Sequence, residues 1–178
     1  MTVLQSATSG VKVAPMVSKR LSSLEGHRRK FLAVIDNTPE CQRAVYYAGR
    51  RAKNSNGGLT LLFVIPEGDF QQWLGVEEIM RAEAHEEAEA ALAKTAQSVR
   101  ETIGLEPETV IREGKAAEQI VNLIEEDRDI AILVLAAGSA KEGPGPLVSS
   151  IAGRASAFPI PVTVLPESLT NEEIDALC

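Results

Sequence analysis

The sequence predicts an α/β domain built on a mainly parallel sheet. Short aliphatic runs alternate with longer amphipathic stretches between residues 30 and 166. One run, Ile130 to Ala137, is almost wholly aliphatic, as strands buried on both faces of a parallel sheet are. Aromatic residues are only 4% of a chain that is 44% hydrophobic, so the core must be Val, Ile, Leu and Ala. Strands alternating with helices imply βαβ units with right-handed crossovers.

The elements follow in order. Residues 1–29 lack sustained periodicity and read as a disordered arm. Lys30 to Ile35 is a short buried strand. Thr38 can cap a helix, Pro39 suits the first helical position and Glu40 favours the positive end of its dipole. The helix then runs from Cys41 to Asn54 with Val45, Ala48 and Ala52 inward, and Asn56-Gly57-Gly58 ends it. Leu59 to Ile65 is the second strand, and Pro66 to Gly75 a loop holding Phe70 and Trp73. Val76 to Ile103 is a long helix whose acidic run, Glu83 to Glu89, is a solvated face. The third strand is Glu106 to Arg112 and the third helix Ala116 to Glu126. Ile130 to Ala136, Val148 to Ala157 and Pro161 to Leu165 complete the strand–helix–strand close. No boundary divides 30–166, so one domain is expected there, with a tail or polar helix over 167–178.

Composition excludes several function classes. No apolar run approaches the roughly 18 residues that span a bilayer. The N-terminus has no long apolar stretch after its basic residues, so a cytoplasmic protein is expected. Six basic residues in 1–30 against Glu25 give +5, and the whole chain carries −7, so the remainder carries −12. A body this acidic repels nucleic acid. Cys41 and Cys178 suggest neither a disulfide framework nor a metal site, and His27 and His85 lack ligand-like neighbours. No Ser–His–Asp set or paired acid–base carboxylates emerge, so no catalytic residue is expected.

The loop from Gly138 to Pro146 leaves the carboxyl end of a strand and feeds a helix. In open α/β sheets ligands bind there, and free N–H groups at a helix start favour anions. A capped βα connection explains the same residues. The first βα turn, Asp36 to Glu40, has no glycine, which excludes a dinucleotide fingerprint. A Gly-Lys-Ser/Thr loop is absent. The acidic cluster and late Lys of a response regulator are absent too.

Four segments carry a specific resemblance: "FLAVIDNTPE", "LLFVIPEG", "TVIREGKAAEQIVNLIEEDRDIAILVLAAG" and "LVSSIAGRASAFPIPVTVLP". With them the chain resembles the universal stress protein family across residues 30–166. The resemblance implies an open five-stranded parallel sheet of order 3-2-1-4-5 with helices on both faces, the adenine nucleotide α-hydrolase-like fold. It implies a homodimer through the last strand and a stress-response role without dedicated catalysis. Its nucleotide-binding members hold ATP or AMP, with Mg, at the carboxyl edge of the sheet. The first strand's Asp and a backbone group near the end of the second hold the adenosine, here Asp36 and Val64. A Gly-x-x-Gly, nine residues, Gly-Ser/Thr motif holds the phosphates. Its spacing falls on Ala136, Ser139, Ser149 and Ser150, with Gly138 beside it and out of register. Every motif glycine is replaced by a small residue, which removes positive-φ freedom near the phosphates and implies weakened binding. Asp36 reads equally as an acid capping the next turn, and Ser150 as a helix cap. Two other outcomes stay open: a dimeric interaction module that has lost nucleotide binding, and a weak ATP hydrolase.

Overall fold

The computed structural model describes residues 18–36, 38–67, 77–138, 143–154 and 158–178. Strands β1 (Lys30–Ile35), β2 (Gly58–Ile65), β3 (Glu108–Glu113), β4 (Ile130–Ala137) and β5 (Val162–Pro166) alternate with helices α1 (Cys41–Asn54), α2 (Glu77–Thr102), α3 (Ala116–Glu126), α4 (Pro146–Ala152) and α5 (Asn171–Leu177). Every strand pairing is parallel, in the order β3-β2-β1-β4-β5. The fold class is the one the sequence predicts.

The pleat divides the core. Phe31, Ala33 and Ile35 of β1 point toward α1 and α2, while Leu32 and Val34 point toward α3 and α4. This period of two is the reason aliphatic side chains fill every position of a strand covered on both faces. On α1 the buried residues are small: Ala44, Ala48 and Ala52 are at most 1% exposed. Small side chains let the helix lie close to β1, so Ala33 opposite them stays small as well. α1 ends where expected, by a different division of labour. Asn56 takes the left-handed conformation at φ 51°. Gly57 is needed for close approach, since a Cβ there would sit 2.4 Å from the Arg29 carbonyl oxygen.

The described segments flanking the sheet are attached to it. Within the arm expected over 1–29, residues 18–29 bond to the corner between α3 and β4. Leu21 N–H donates to the Arg128 carbonyl (2.9 Å), Arg128 donates to the Lys19 carbonyl (2.9 and 2.7 Å), and His27 bonds Asp129 (2.7 Å). Basic Arg20 meets Glu125 at 3.5 Å, so this attachment joins the two charge classes that the sequence separates. Residues 1–17 lie outside the described residues. In the segment 167–178, α5 opens on a capping box: Glu173 N–H donates to the Thr170 hydroxyl (3.2 Å) and Thr170 N–H to the Glu173 carboxylate (2.8 Å). It packs on α1 through fully buried Ile174 and through Asp175, which accepts from the Tyr46 hydroxyl (3.0 Å) and forms an ion pair with Arg50 (2.8 Å).

At the carboxyl end of β3, Glu113 accepts from His85 Nε2 (2.7 Å) and Arg81 (2.8 Å) of α2. The His85 bond, with Arg81 and against a smaller desolvation cost, holds the Glu113 carboxyl below its ordinary 4.5. A depressed carboxylate stabilises the fold above the unfolded-state pKa, and that contribution is lost as pH falls through the folded value. A carbon-detected NMR titration should therefore place the Glu113 midpoint below 4.5, and His85→Gln should raise it. An unchanged midpoint in the variant would refute the assigned cause.

Candidate functional site

The sheet order creates the site. From β1 the chain moves outward to β2 and β3, then returns to the other side of β1 as β4. The loops leaving β1 and β4 therefore diverge, and a crevice opens at their carboxyl ends. Asp36, directly after β1, and Ala136, near the end of β4, line one cavity of about 90 Å³ there. Val34, Thr38, Glu40 and Leu135 share that lining, and Gly145, Leu147 and Val148 close it from the α4 side. Beyond it an open groove of about 850 Å³ runs past Ala137, Gly138, Gly143 and Pro144 to Val164 and Glu167. The cavity alone is smaller than a usual small-molecule pocket, whereas the groove is of that size.

Local bonds set the polar groups. Asp36 Oδ1 accepts the Thr38 N–H at 3.1 Å and the Thr38 hydroxyl as well. The expected Thr38 cap is thus spent on this turn; α1 starts at Cys41 as expected, but with Glu40 as its N-cap residue. The Asp36 side chain is exposed at the cavity rim. Cys41 lines the cavity with its Sγ on the Asp36 carbonyl oxygen (3.4 Å). Burial pushes its thiol up from the ordinary 9.0, the bond to Asp36 opposing, so the thiol stays neutral at physiological pH. Glu40 makes no cap bond to its own helix. Its Oε1 leans toward β4, 3.0 Å from where a Cβ on Gly138 would be.

The helix start differs from the expected one. α4 opens at Pro146, not Val148, and ends at Ala152. Gly145 precedes it at φ 90°, a left-handed conformation that favours glycine, and Pro146 occupies the first turn. The Ser149 N–H is already bonded to the Gly145 carbonyl (3.0 Å). Ser149 and Ser150 are exposed, one turn inside the helix, and they are not among the cavity-lining residues. The α4 residues that line the cavity are Pro146, Leu147 and Val148. The Gly-Pro pair is the sequence signal that marks this start. Gly138 lies in the groove rather than the cavity. Val64 is half-buried on the α3 face of β2, paired with Arg112 of β3, and lines neither space. Ser139 and Lys141 lie outside the described residues. Sequence reasoning missed Glu40 as a site residue because a helix-starting acid already explained it.

Electrostatically, the described lining residues of cavity and groove include Asp36, Glu40 and Glu167 and no Lys, Arg or His. Among the described residues, no group of three or more His, Cys, Asp or Glu side chains is placed to hold a metal ion. No helix among them is long and apolar enough to cross a membrane.

No curated protein sequence matches this chain. Solved structures do. UspA from Lactobacillus plantarum superposes with a TM-score of 0.64 at 19% identity, covering 77% of this chain and 97% of that one. A universal stress protein in complex with cAMP gives 0.58 at 19% identity, over 79% and 98% of the two chains. The universal stress protein from Archaeoglobus fulgidus in complex with dAMP gives 0.56 at 16% identity, over 76% and 96%. These likenesses show the fold. The sequence model of the universal stress protein family matches residues 27–166, most of the chain and every strand of its sheet. The chain therefore belongs to the universal stress protein family.

Proposed function

We propose that this protein is a cytoplasmic stress-response protein that binds an adenine nucleotide, ATP or AMP, at the carboxyl edge of its sheet and works as a homodimer through β5. One observation carries the reading: Asp36 and Ala136, far apart in sequence, line one cavity where the strand order reverses. The exposed Asp36 carboxylate suits an adenine amino group or a ribose hydroxyl. A phosphate tail then runs past Gly138 into the groove lined by Gly143 and Pro144. The neighbours described as complexes with cAMP and dAMP support the ligand class. Mg, if it accompanies the nucleotide, is held by the phosphates, since the described carboxylates form no ligand cluster.

Isothermal titration with adenosine, AMP and ATP, with and without Mg, tests the reading. Binding should appear below millimolar concentration. Asp36→Ala should weaken adenosine and AMP by roughly tenfold to hundredfold, as loss of a hydrogen bond to a charged acceptor does. If none of the three binds to the wild type, nucleotide binding fails and a dimeric interaction module is the better account. The acidic lining favours that second reading. Turnover of ATP would instead indicate a weak hydrolase.

A further inference from the structure

The proposed nucleotide site carries an anion where its phosphates would pass. As the N-cap residue of α1, Glu40 is placed where a carboxylate commonly turns onto the amides of the first helical turn. It makes no such bond. Its Oε1 is held over the end of β4, within 3.0 Å of a Cβ position on Gly138, and the Gly143 carbonyl oxygen lies 3.8 Å from that same point. Gly138 and Gly143 line the groove, and Glu40 lines the cavity, so these acceptors stand where one space opens into the other. Asp36 lies on the cavity side of this junction and Glu167 on the groove side, with no basic side chain among the described lining residues. A phosphate chain running from a nucleoside at Asp36 into the groove passes the half-buried Glu40 carboxylate. Like charges brought together repel, and the repulsion grows with each added phosphate. An uncharged nucleoside meets no such penalty.

We propose that Glu40 makes this site select adenosine and adenosine monophosphates over ATP. The inference rests on the nucleotide reading above and names the ligand class within it.

Equilibrium titration of wild type, Glu40→Gln and Glu40→Ala with adenosine, AMP and ATP tests it, each with and without Mg. Circular dichroism and urea midpoints first establish that the variants fold. Wild type should prefer adenosine to ATP by about tenfold or more. Glu40→Gln, which keeps shape and removes charge, should narrow the adenosine-to-ATP ratio by about tenfold. Added salt should strengthen ATP binding to wild type more than to the variant, because it screens the repulsion. An unchanged ratio in both variants overturns the proposal, as does a wild type that binds ATP as tightly as adenosine. Weaker MgATP binding by Glu40→Gln also overturns it, for Glu40 would then be serving the nucleotide's cation. Those results leave the site itself standing. If none of the compounds binds to any of the three proteins, the nucleotide reading itself fails and this inference falls with it.

Discussion

Leu133→Ala should lower the unfolding free energy by about 3 kcal/mol, within the range of roughly 2–5 kcal/mol for truncating a buried Leu. Leu133 is 0% exposed at the middle of β4. It is paired with Leu32 on β1 and Val162 on β5, so it has strand neighbours on both sides. Its side chain packs in the cluster beneath α3 and α4, with Ile120, Ile124 and Ile151. Paired strands hold the position on both sides, so little can move in to fill the void, and the cavity cost adds to the lost transfer free energy. Urea denaturation followed by circular dichroism measures the change at constant slope. Met80→Ala, at a 45% exposed position of α2 away from this cluster, is the control and should stay within about 0.5 kcal/mol. A loss below about 1 kcal/mol for Leu133→Ala would contradict the packed core described for this face.

Val164→Lys should convert a dimer into a monomer. β5 is an edge strand, paired with β4 on one side only. Its free edge is short and lies between Pro161 and Pro166, with Val164 outward. An unpaired apolar edge is a template for a second strand, and a two-fold axis makes that contact self-complementary. A lysine at Val164 would place two ammonium groups against each other across the axis. Val162 is the poorer site for a charge, because it is half-buried against the α3 and α4 cluster. Sedimentation at tens of micromolar, a working range for subunit association, should show a wild-type dimer and a variant monomer with unchanged circular dichroism. A wild type already monomeric there would refute the dimer.

The strands were legible because burial on both faces leaves an aliphatic run with no polar interruption, as Ile130 to Ala137 displays. α1 was legible from the spacing of Val45, Ala48 and Ala52. Its start at Cys41 was legible too, but its cap was misassigned, because Thr38 had two partners to choose from, a helix amide or Asp36, and the local turn brought Asp36 first. α4 was misread for a related reason: the two serines suited a cap, while Gly145 and Pro146 had the stronger backbone claim. α5 was left undecided because its attachment depends on Tyr46 and Arg50, which are local to nothing in the tail.

Local chemistry along the chain thus determined the α/β class, the strand list, the acidic body and Asp36 at the end of the first strand. Periodicity and turn preference act over a few residues, and sequence displays them directly. The tertiary structure alone decided that Ala136 shares a cavity with Asp36 while Ser149 and Ser150 do not, and that Glu40 reaches Gly138. Residues 40 and 138 meet only because β4 returns beside β1 after two intervening strands. That contact depends on strand order and on the exact point where α4 begins, and no local preference encodes either.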